Sequence, residues 1–96
     1  MSVPLTKESV TEALAHLPGW KHNNNALEKS FVMRDFSEAL GFIVRVGVEA
    51  ERINHHPELN NVWSRVTFRL STHDAGDQIT ALDVQLAEAI EKVAKV

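Results

Sequence analysis

The segment from Phe36 to Asn54 constrains the fold of this chain more than any other. Phe36, Leu40, Ile43, Gly47, Ala50 and Asn54 fall on one stripe at helical spacing, and Phe42, Val46 and Ile53 widen it. A stripe that broad predicts a helix covered over most of its surface, part of it by a second subunit. Asp35 or Ser37 can cap its start, and Glu38 sits in its first turn. Pro57 disfavours helical geometry at His56, so the helix is expected to end near Asn54 or His55.

A strand-turn-strand pattern stands on each side of this segment. Trp20 to His22 and Ala26 to Met33 flank Asn23-Asn24-Asn25, and asparagine tolerates the left-handed conformations of a tight turn. Leu59 to Val62 and Val66 to Thr72 flank Trp63-Ser64-Arg65, and Val66, Phe68 and Leu70 alternate with polar residues as in a half-buried strand. A first helix over residues 6–16 follows from Thr6 as N-cap, apolar Val10, Leu14 and Leu17, and the stop at Pro18-Gly19. Asp74 to Gln78 reads as loop. Thr80 with Asp83 has capping-box spacing, and Leu82, Leu86, Ala89, Ile90 and Val93 give the last helix its buried side. The order α-β-β-α-β-β-α, joined by hairpins, predicts an α+β two-layer sandwich: a four-stranded antiparallel sheet with three helices on one face, forming one domain over residues 1–96.

Composition narrows the function. A chain of 96 residues buries only about two-thirds of its unfolded surface, so self-association is expected. Its net charge of −3, with no basic cluster, argues against direct nucleic-acid binding. The absence of cysteine removes thiolate nucleophiles and cysteine-based zinc sites. Met1-Ser2-Val3-Pro4 has no apolar signal core, and the apolar run from Gly41 to Val48 is broken by Arg45 and too short to span a bilayer. A cytoplasmic protein without membrane contact is expected.

Chemistry concentrates in Glu51-Arg52-Ile53-Asn54-His55-His56-Pro57. Histidine titrates nearest neutrality, so two in succession at a helix end, with His73 beyond the next strands, point to proton transfer. Glu51 and His55 are four apart and share a helix face, which predicts contact between them. His56 is pushed toward extended geometry and points elsewhere. The plainer readings are surface histidines at His16 and His22, a cap at Asp83, and core or rim aromatics at Trp20 and Trp63. Three histidines with Glu51 could in principle hold zinc, but His-Glu-x-x-His spacing is absent and adjacent histidines in extended chain diverge.

Glu51-x-x-x-His55-His56-Pro57, followed by Trp63, His73 and Asp83, resembles the signature of the pterin-4a-carbinolamine dehydratase family. Gly19-Trp20, Asp35-Phe36, Gly41-Phe42 and Ser71-Thr72-His73 extend the likeness over nearly the whole chain. The resemblance implies dehydration of a 4a-hydroxytetrahydropterin to quinonoid dihydropterin, recycling the pterin of aromatic amino acid hydroxylases. It implies His55 and His56 as the acid–base pair, and His73 against the pterin with Asp83 orienting it. Glu51 would support His55, and Asn54, Pro57, Ser71, Thr72 and Asp74 would line the substrate. No metal or other cofactor is implied, the pterin being the substrate, and the assembly would be a homodimer or homotetramer. Animal members also act as dimerisation partners of a homeodomain transcription factor, so an adaptor is the alternative. A metal-dependent hydrolase and a member acting on a different pterin are further ones.

Overall fold

The computed structural model describes residues 3–95. Met1 and Ser2, half of the stretch read above as lacking a signal core, lie outside them. The elements run α1 (Lys7–Leu14), β1 (Lys21–Asn23), β2 (Ala26–Val32), α2 (Phe36–Arg52), β3 (Glu58–Val62), β4 (Arg65–Leu70), a 3-10 turn over His73–Ala75, and α3 (Ala81–Ala94). All strand pairs are antiparallel, in the order β1-β2-β4-β3. The α+β order expected from the sequence is the order found. Among the described residues no helix is long and apolar enough to cross a membrane.

Turn chemistry sets both hairpins. Asn24 and Asn25 take positive φ of 50° and 62°, the pairing a two-residue hairpin turn requires. Asn23 therefore belongs to the strand, paired with Ala26, rather than to the turn. In the second hairpin Trp63 has φ 53°, and the Asn61 side-chain amide donates to the carbonyls of Trp63 and Arg65 at 3.0 Å each. Arg65 is drawn into the ladder opposite Val62.

Register then sorts the sheet faces. Leu27 stands opposite Leu70, Lys29 opposite Phe68 and Phe31 opposite Val66, so these side chains share the face on which the helices pack. Phe31, Phe42 and Phe68 meet edge to face with centroids 5.1–6.1 Å apart, an arrangement aromatic quadrupoles favour. Trp20 closes the cluster at 6.3 Å from Phe31, and its indole N–H donates to Glu91 on α3. Lys29 pairs with the same Glu91 carboxylate at 2.7 Å, so a cation on the inner sheet face is neutralised. The opposite face is mostly polar, with Val32 and Val62 exposed at one end: Ser30 meets Thr67 across strands, and Arg69 lies 4.0 Å from Glu28 and 3.8 Å from Glu58.

The long helix sits differently on the sheet from what its pattern predicted. Its buried side runs through Ala39, Phe42, Val46 and Ala50. Ile43 and Ile53 are half-buried, whereas Phe36, Leu40, Val44 and Val48 stay 44–65% exposed along an adjoining stripe. The apolar arc is wider than one sheet can cover, so the periodicity alone could not say which part faces inward.

Candidate functional site

The site begins at the C-terminus of α2. Asn54 takes the left-handed conformation (φ 53°). Its N–H donates to the Glu51 carbonyl and that of His55 to the Ala50 carbonyl. This is a Schellman ending, and asparagine is the residue after glycine that best accepts it. The reversal breaks the four-residue relation between Glu51 and His55 and turns His55 inward, where it is only 9% exposed.

Its partner comes from the start of α3. There Thr80 and Asp83 form the expected capping box, with the Thr80 N–H donating to Asp83 Oδ2 at 2.9 Å. Thr72 Oγ1 donates to the same oxygen at 2.8 Å. The other oxygen, Oδ1, accepts from His55 Nε2 at 2.6 Å, with Asp83 fully buried. Cap and functional contact are thus the two oxygens of one carboxylate. A shorter acid than the usual Glu stands in this box, and it serves both.

Two expected pairings are replaced. Glu51 does not reach His55. Its carboxylate accepts from His56 Nε2 at 2.9 Å, because the helix end carries His56 back over the last turn. Asp83 does not orient His73. Strand β4 ends at Leu70 and His73 opens the 3-10 turn, which leaves its side chain 97% exposed and its Nδ1 bonded to Asp77 Oδ1 at 3.0 Å. Asp77 and Gly76, at positive φ of 58° and 75°, fold that loop back. The backbone of Thr72 anchors it through bonds to Gln78, Ala75 and Asp77.

All three histidines nevertheless line one cavity. A cavity of about 360 Å³ is lined by Asn54, His55, His56, Ser71, Thr72, His73, Asp74 and Leu82. Seven of the ten site residues named from the sequence line it. Glu51 and Asp83 stand behind it as histidine partners, and Pro57 is half-buried but not among the lining residues. Sequence reasoning missed Asp77 and Leu82, and it took Thr80 for a cap alone. The capping-box spacing was the signal that could have shown Asp83 at a helix start facing the α2 terminus. Among the described residues no three acid or histidine side chains are grouped to hold a metal ion.

Comparison with known proteins places the chain in context. Residues 3–93 match the family described as "Pterin 4 alpha carbinolamine dehydratase". A protein of Opitutus terrae named "Putative pterin-4-alpha-carbinolamine dehydratase" is 48% identical over 93 residues, 97% of this chain and 96% of its own. One of the same name from a Bradyrhizobium species is 49% identical over 92 residues, 94% and 92% of the two chains. A crystal structure of a "transcriptional coactivator/pterin dehydratase" from Brucella melitensis superposes with a TM-score of 0.90 at 36% identity, covering 95% of this chain and 98% of that one. A pterin dehydratase-like RuBisCO assembly factor of the alpha-carboxysome shares the fold, with a TM-score of 0.63 at 17% identity over 78% of this chain and 86% of that one.

The unequal burial of Asp83 and His73 has a measurable consequence. Asp83→Ala removes a buried acceptor from three donors and is expected to cost about 2 kcal/mol, lowering the thermal midpoint by roughly 10 °C. His73→Ala, at a solvent-facing side chain, should leave the midpoint within about 3 °C. Equal shifts in the two variants, read by differential scanning calorimetry, would contradict the burial described here.

Proposed function

The chain belongs to the pterin-4a-carbinolamine dehydratase family and is a hydro-lyase, and from that premise we propose that it dehydrates a 4a-hydroxytetrahydropterin through its histidines. One observation carries the proposal. Imidazoles from two segments 17 residues apart in sequence line one cavity, and each is paired with its own carboxylate: His55 with Asp83, His56 with Glu51, His73 with Asp77. A cavity of about 360 Å³ suits a flat bicyclic ring.

The reaction needs what these groups supply. The 4a-hydroxyl leaves poorly unless protonated, and N5 must give up its proton as the C4a=N5 double bond forms. Both transfers suit groups that titrate near neutrality. The conversion is redox-neutral, so it calls for no electron-carrying cofactor, and we assign none. His55 and His56 act as the acid–base pair. His73, the most exposed of the three, meets the ring from the 3-10 turn, while Asn54, Ser71 and Asp74 offer polar groups to its edge and Thr72, whose hydroxyl is engaged by Asp83 and Thr80, contributes only wall. In this reading the protein returns the pterin to use after an aromatic amino acid hydroxylase has oxidised it.

The exposed stripe Phe36, Leu40, Val44 and Val48 supports assembly of the chain into a homodimer or homotetramer. Sizing with light scattering should give a multiple of the 10.7 kDa protomer. A monomer at micromolar concentration would overturn that part.

The catalytic assignment is tested by following loss of carbinolamine absorbance in a coupled hydroxylase assay. His55→Ala and His56→Ala should each lower turnover by ~10²–10⁴-fold while retaining a cooperative unfolding transition. Dehydration at the unaltered rate in either variant would refute its role.

A further inference from the structure

The hydrogen bonds behind His55 run in one direction only. A carboxylate accepts and never donates, so the single hydroxyl hydrogen of Thr72 goes to Asp83 Oδ2. The contact between the Thr72 and Thr80 hydroxyls, 2.7 Å long and buried, must then use the hydrogen of Thr80. The Thr80 oxygen in turn accepts from the Leu82 N–H at 3.2 Å. Each hydrogen in the row is thereby placed, from Leu82 through Thr80 and Thr72 to Asp83. With the Thr80 N–H also on Oδ2, that oxygen is held by two donors and Oδ1 is left facing His55.

We propose that Thr72 and Thr80 are positioning residues that fix the tautomer of His55: by clamping Asp83 they keep the ring hydrogen on Nε2 and leave the Nδ1 lone pair for the cavity. Nδ1 has no hydrogen-bond partner among the described residues. No buried polar side-chain atom among them lacks a partner, so Nδ1 reaches solvent, on the ring that lines the cavity. This inference rests on the dehydratase reading, which it deepens by assigning the base. Neutral His55 accepts the N5 proton at Nδ1, and the N5–H electron pair becomes the C4a=N5 bond. The C4a–O bond breaks and its pair leaves with the oxygen. His56 gives the proton that makes the leaving group water. Asp83 then faces the imidazolium that forms on His55. Solvent returns the two histidines to their starting states.

Thr80 does not line the cavity, so replacing it separates the relay from any contact with substrate. In ¹⁵N-labelled full-length protein, long-range ¹H–¹⁵N spectra should show neutral His55 as the Nε2–H form. Thr80→Val and Thr72→Val should each mix in the Nδ1–H form. Thr80→Val should also lower kcat by about tenfold, the scale of losing a group that orients an imidazole, with KM within about twofold of the parent as expected when only the transition state is affected. Thr80→Ser, which keeps the hydroxyl, should regain the Nε2–H form and most of the lost kcat. Valine variants with unaltered tautomer and kcat would overturn the proposal. So would an Nδ1–H ring in the unsubstituted protein, a readout that stands even where a variant does not fold. An inactive parent with the Nε2–H ring would sink the dehydratase reading while leaving the relay intact.

Discussion

The hydrogen bond between His55 and Asp83 is the contact on which the site depends. It joins the end of α2 to the start of α3, and it is buried on both sides. An unpaired carboxylate in that position would be costly, so each element must end where it does for the pair to form. Asn54 allows the reversal that turns His55 inward, and Thr80 sets the first turn of α3 so that Asp83 lies across from it. The other two imidazoles are held differently. Their carboxylate partners are exposed, which leaves His56 and His73 free to adjust to a ligand while His55 stays fixed.

Beneath this junction the sheet and its aromatic cluster supply rigidity. Phe31, Phe42 and Phe68 tie β2, α2 and β4 together by edge-to-face contacts, and Glu91 draws Trp20 and Lys29 onto α3. The relative placement of α2 and α3, and with it the reach from His55 to Asp83, is therefore set by packing far from the cavity. A small domain has few such ties, and the uncovered stripe on α2 leaves apolar surface for an assembly to bury.

Much of the fold was legible because its signals are local. Thr6 and Thr80 cap α1 and α3 as their types and spacing indicated, Asp35 caps α2 where the sequence left Asp35 or Ser37 open, and the asparagines between β1 and β2 named their own turn. The candidate residues were legible as a set, since helix end and strand end carried unmistakable polar clusters. Their pairings were not. Whether Glu51 meets His55 or His56 depends on one left-handed residue, and Asp83 finds His55 rather than His73 because β4 stops two residues short of Thr72. Likewise the buried side of α2 was ambiguous, because an apolar arc wider than its contact can settle in more than one rotation. Tertiary packing decided each of these.

Dehydration at this site requires a pterin to enter the cavity that the three histidines line. Titrating the labelled protein with 7,8-dihydropterin and following all five histidine rings tests this directly, because His16 and His22 are exposed and line no part of that cavity. Saturable, concerted shifts are expected at His55, His56 and His73, with His16 and His22 unmoved. Rings at His55, His56 and His73 that stay still at saturating dihydropterin, or that move no more than His16 and His22, would contradict pterin entry there.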